Sequence, residues 1–66
     1  MEKFTLREMR MKRGVSIVAL SNHLGISRQT YRKYERNPGS MTVDQALAVC
    51  DFLRCSLGDI FFNVEG

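Results

Sequence analysis

Residues 16–35, SIVALSNHLGISRQTYRKYE, contain two helix starts and one helix stop. The first start is Ser16, preceded by Val15 and followed by Leu20. A serine hydroxyl there accepts a hydrogen bond from an otherwise orphaned backbone N–H, and the flanking apolar pair staples the entering chain to the helix. The same pattern returns at Ser27, with Ile26 before it and Tyr31 as the staple partner. Between the two starts lies Gly25, which tolerates the left-handed backbone that ends a helix. The spacing predicts helices over about 16–24 and 27–36, joined by a tight turn through Leu24, Gly25, Ile26 and Ser27.

The flanks follow the same rules. Upstream, Thr5 caps a first helix, Glu8 closes a capping box, and Met9 staples to Phe4. Gly14 stops that helix, while Asn37, Pro38 and Gly39 stop the third and form the longest loop. Downstream, Thr42 after Met41 starts a fourth helix with Gln45 in its box. Ser56 after Cys55 starts a fifth, with Asp59 in the box and Ile60 in the staple. Apolar residues recur at helical spacing: Leu6 and Met9; Leu20 and Leu24; Tyr31 and Tyr34; Val43, Leu47 and Cys50; Ile60 and Phe61. No stretch alternates with period two long enough for a strand. The expected fold is all-α, a compact five-helix single domain over residues 1–66.

A chain of 66 residues has room for one small core and no separate catalytic domain. Its hydrophobic fraction of 44% and charged fraction of 26% are those of a globular protein. No run of ~18 apolar residues is present to span a bilayer, and the polar start, Met1 to Phe4, does not read as a signal peptide. The expected location is the cytoplasm of a bacterial or phage-infected bacterial cell. On one continuous helix, Cys50 and Cys55 would be separated by a rise of ~7.5 Å, beyond the usual disulfide reach of ~7 Å. Both read as small buried hydrophobes, and with a distant His23 they do not make a zinc site. His23 itself reads as a solvated or capping residue, and Met1, Met9, Met11 and Met41 as gap fillers in the core or start residues.

Charge is unevenly divided. Residues 1–36 hold nine basic and three acidic side chains, whereas residues 37–66 hold one basic and four acidic. Such a division points to a polyanionic partner on one side. The third helix concentrates it: Arg28, Gln29, Arg32, Lys33 and Arg36 share one face, and Tyr31, Tyr34 and Glu35 share another. Joined to the second helix by its tight turn, this is a helix-turn-helix arrangement suited to the major groove. Arg pairs with guanine O6 and N7 and Gln with adenine N6 and N7, each for ~1–3 kcal/mol of discrimination. Lys33 and Arg36, further along, suit phosphates, which hold register without reading sequence.

Residues 16–35 resemble the core of the lambdoid phage repressor and Cro-like family of XRE-type regulators. Leu20, the turn from Leu24 through Ser27, then Arg28, Gln29 and Thr30, then Lys33, Tyr34 and Glu35, all stand where that pattern places them. Leu6, Met9, Arg10 and Gly14 fit its first helix, and Leu47, Val49, Leu53 and Ser56 through Phe61 fit its last two. The resemblance implies base reading by Arg28, Gln29, Arg32 and Lys33. It implies DNA-backbone contacts by Ser16, Ser27, Thr30, Arg36, Asn37, Gly39, Ser40 and Thr42, and an interhelical ion pair between Arg10 and Glu35. Three positions depart from the pattern. Ile17 replaces a phosphate-contacting Gln, leaving that contact to Arg28 or Asn22. Ser21 replaces a small Ala between the motif helices, and Arg54 replaces a Gly, so that turn is expected to be strained or shifted.

The apolar end, with Phe61, Phe62 and Val64, exceeds what one small helix buries inward, so these residues are expected to face a second subunit. The expected partner is double-stranded DNA, bound by a homodimer at a near-palindromic operator with half-sites ~34 Å apart. The corresponding function is a Cro- or repressor-like transcriptional regulator of a phage or mobile element. The competing reading is an antitoxin or adaptor that binds chiefly another protein. No paired carboxylates, phosphate loop or activated nucleophile can be assembled, so an enzyme is not expected; nor is a cofactor, metal or small-molecule ligand.

Overall fold

Thr5, Ser16, Ser27 and Thr42 each accept a hydrogen bond from the backbone N–H three residues on, at 3.0 to 3.1 Å, and an α-helix starts after each. The computed structural model describes residues 3–60. Their four α-helices are α1 (Leu6–Lys12), α2 (Ile17–Leu24), α3 (Arg28–Arg36) and α4 (Val43–Leu53), with one-turn 3-10 helices at Pro38–Ser40 and Leu57–Asp59. Capping boxes close at Thr5 with Glu8 and at Thr42 with Gln45. No β-strand occurs among the described residues, only an isolated bridge between Phe4 and Ile60. Five helices are not reached there. Ser56 and Asp59 form the expected box, but it opens a single 3-10 turn, after which Ile60 turns extended.

Three helix ends share one geometry. After α1, α2 and α4 a residue enters the left-handed region, and the next N–H returns to a carbonyl in the last turn of the helix. These bonds run from Val15 to Arg10, Ile26 to Ser21 and Cys55 to Cys50, at 3.1, 3.0 and 3.0 Å. The left-handed residues are Gly14, Gly25 and Arg54, with φ of 68°, 71° and 57°. Arg54 thus keeps the turn in place and is strained by its Cβ. Replacing it with glycine relieves that strain at the cost of extra chain entropy. Arg54→Gly is therefore expected to stabilise the fold by roughly 0.5–1 kcal/mol, seen as a Tm rise of a few degrees by circular dichroism. An unchanged or lower Tm would show the turn to be unstrained. The end of α4 is held further by Arg13, whose Nε donates to the Leu53 carbonyl at 2.8 Å and Nη2 to that of Arg54 at 3.2 Å.

Both cysteines are free, as read, but the same reversal corrects the distance between them. The chain does not continue as a helix past Leu53, so the rise along a helix does not set their separation: Cys55 folds back until its N–H meets the Cys50 carbonyl.

Leu6, Met9, Leu20, Tyr31, Val49, Cys50, Leu53 and Ile60 form the core. The inward face of α4 differs from the spacing first read. Ala46, Val49, Cys50 and Leu53 are buried, whereas Val43 and Leu47 are 70% and 48% exposed. Met11 is likewise exposed, while Met41 packs against the core. Ile17 also packs there, which accounts for an apolar side chain where a polar one was expected. Ser21 is buried between helices, its hydroxyl satisfied by donation to the Val18 carbonyl at 3.1 Å. His23 is exposed but not simply solvated: its ring stacks on Phe52, with centroids 4.4 Å apart.

Candidate nucleic-acid interface

Tyr31 sets the rotation of α3. Its ring is fully buried in the core, and that anchor turns Arg28, Gln29, Arg32, Lys33 and Arg36 outward, all exposed. Ser27 fixes the start of the helix: its hydroxyl accepts from the Thr30 N–H and donates to Thr30 Oγ1, both at 3.0 Å. Shallow clefts run along the outward face, lined by Ser27, Arg28, Gln29 and Arg32, and by Gln29, Thr30, Arg32, Lys33 and Arg36.

The acid of α3 faces the other way. Glu35 Oε2 accepts from Arg10 Nε at 2.6 Å and from the Tyr31 hydroxyl at 2.9 Å. Arg10 also donates through Nη1 to the Val15 carbonyl at 3.0 Å, tying α1, the following turn and α3 together. Burial, and then the adjacent Glu35, push the Tyr31 phenol well above its ordinary value, so it serves as a neutral donor. The electrostatic result matters for a ligand. Glu35 is neutralised internally, and Arg28, Arg32, Lys33 and Arg36 have no acidic partner among the described residues. The outward face is therefore cationic along its length, with one amide, Gln29, in its first turn.

Flanking donors lie at the starts of α2 and α4. The hydroxyls of Ser16 and Thr42 accept from the backbone as caps, which leaves each a proton to donate outward. Ser40 already donates to the Asn37 carbonyl at 2.8 Å, so its hydroxyl proton is engaged. Asn37 and Gly39 are exposed on the turn between α3 and α4. Phe61, Phe62 and Val64 lie outside the described residues. Arg13 and the Tyr31 hydroxyl were missed as structural groups in the sequence, where only the position of Arg13 beside Gly14 hinted at a helix-end role. Among the described residues no group of 3 or more His, Cys, Asp or Glu could hold a metal ion. No helix there is long and apolar enough to cross a membrane.

Helix α3 is thus seated by a buried aromatic, with its acid turned inward and its cations turned outward after a tight turn. A family model described as helix-turn-helix matches residues 6–60. The chain belongs to the XRE-type helix-turn-helix family. The chain is similar to a protein of Thermoplasma acidophilum named as an HTH-type transcriptional regulatory protein. The two are 44% identical over 54 residues, which cover 82% of this chain and 17% of the relative. It is similar also to a protein of Pyrococcus furiosus with the same designation, at 40% identity over 42 residues, 64% of this chain and 13% of the relative. The helix-turn-helix chain thus spans less than a fifth of the length of these relatives. The family is one of DNA-binding domains of transcriptional regulators.

Proposed function

We propose that the chain is a sequence-specific reader of double-stranded DNA that inserts α3 into the major groove and represses transcription by occupying an operator. The observation that carries this reading is the exposed, unpaired row of Arg28, Gln29, Arg32, Lys33 and Arg36 on a helix held rigid from behind. Arg28 and Gln29, in the first turn, are assigned to base edges, with Arg32 reading beside them and Lys33 on the flanking phosphate. Arg36, together with Ser16, Ser27, Thr30, Asn37, Gly39, Ser40 and Thr42, is assigned to the sugar-phosphate backbone. The backbone N–H groups at the start of α4 contribute there as well. Two copies on a near-palindromic site would bring two such helices into successive major grooves, ~34 Å apart. Phe61, Phe62 and Val64 are assigned to the contact between copies. Occupancy of an operator, the mode of Cro-like proteins of phages and mobile elements, requires only this face and that contact.

Selection from a random duplex library tests the reading. Rounds of binding at two salt concentrations are expected to enrich one motif, arranged as an inverted repeat, with affinity falling steeply as salt rises. Weak binding with no enriched motif would remove the sequence-reading function. Enrichment of a single, unrepeated half-site would remove the dimer and keep the reader.

A further inference from the structure

We propose that Cys50 and Cys55 form a dithiol site that closes to an intrachain disulfide by exchange with a small-molecule disulfide, fastening the end of α4 to the segment that follows it. The pairing is imposed by the backbone. Arg54 is left-handed at φ 57°, and the Cys55 N–H reaches the Cys50 carbonyl at 3.0 Å. With ordinary bond lengths, that hydrogen bond holds the two Cα atoms within ~7 Å of each other, the outer limit of what a disulfide bridges. In a helix end of this type the side chains of these two positions are frequently in contact.

The two thiols are unequal. Cys50 is 4% exposed, whereas Cys55 is half-buried. Burial pushes the Cys50 thiol up to about 12. Burial keeps the Cys55 thiol above its ordinary value too, with the Cys50 thiol and the Arg13 guanidinium offsetting only part of that rise. As the more exposed of the two, Cys55 is the attacking sulfur and Cys50 the resolving one. In the first step the Cys55 thiolate attacks one sulfur of glutathione disulfide; that S–S bond breaks, and one glutathione leaves and takes up a proton. Cys50 then gives up its proton and attacks the Cys55 sulfur, forming the intrachain bond and expelling the second glutathione. Two protein thiols lose two electrons, and one small disulfide becomes two thiols.

The test is to incubate the intact chain with glutathione disulfide under native conditions, quench in acid, alkylate, and measure intact mass. The expected product is a monomer lighter by two hydrogens, without alkyl groups or glutathione, that retains helical circular dichroism and a cooperative melt. Cys50→Ser is expected to stop at one stable glutathione adduct. Cys55→Ser, checked for its helical spectrum, is expected to react far more slowly than wild type. Persistence of the wild-type mixed disulfide, a crosslinked dimer, or loss of the cooperative melt on bridging would overturn the proposal. Equal reactivity in folded Cys55→Ser would overturn the assigned order of attack.

Discussion

Glu35→Ala is expected to destabilise the domain by roughly 3 kcal/mol, the cost of leaving one member of a desolvated ion pair without its partner. The side chains of Arg10 and Glu35 are only 12% and 11% exposed, and the same carboxylate oxygen also satisfies the Tyr31 hydroxyl. Its removal therefore strands both a guanidinium and a phenol. A domain of this size rarely has more than ~3–5 kcal/mol to lose, so much of the variant is expected to be unfolded at 37 °C. Replacing the whole group with apolar side chains (Arg10→Met, Glu35→Leu and Tyr31→Phe) leaves no charge stranded, only the Val15 carbonyl without its Arg10 donor, and is expected to recover most of the loss. Urea denaturation followed by circular dichroism measures both variants. A Glu35→Ala midpoint close to wild type would show the pair to be a surface contact of little weight. Tyr31 adds a pH dependence. Its folded pKa lies above the unfolded value, so its contribution is complete below pH ~10 and is lost as pH rises towards the folded pKa.

The local chemistry of this chain was legible in its sequence; the chain's reversals and long-range contacts were less so. Thr5, Ser16, Ser27 and Thr42 start helices because a cap depends on residues three or four apart, and Tyr31 betrayed the rotation of α3 because its polar neighbours are so one-sided. On α4 no such contrast exists. Val43, Ala46, Leu47, Val49, Cys50 and Leu53 form an apolar arc wider than the core can cover, so Val43, Leu47 and Cys50 looked as plausible a seam as Ala46, Cys50 and Leu53. The two cysteines are free, as read, but their separation was misread because a left-handed arginine, disfavoured by its side chain, reverses the chain where a glycine was the usual signal. The clasp of Arg13 on the end of α4 crosses 40 positions of sequence and leaves no local signature. The facing of Arg10 and Glu35, 25 positions apart, came from the family pattern rather than from the residues themselves.

The recognition face should separate reading from holding. Gln29 presents a neutral amide in the first turn of α3, able to form two hydrogen bonds with one adenine. Gln29→Ala is expected to weaken the preferred operator by ~1–3 kcal/mol, about 5–150-fold, while leaving non-specific binding and its salt dependence unchanged. The loss should fall at one base position, where the variant tolerates other bases. Lys33, one turn on, presents a point charge. Lys33→Ala removes one phosphate neutralisation, so it is expected to weaken every duplex alike and to flatten the log-log salt slope by about one unit. Both side chains are exposed and neither is hydrogen-bonded within the fold, so the two variants should melt with wild type. Any change in affinity would then belong to the interface. The opposite pattern, a position-specific loss for Lys33→Ala and a uniform loss for Gln29→Ala, would mean that α3 lies in the groove with a different end inward. The base-reading role would pass from Arg28 and Gln29 to Lys33 and Arg36.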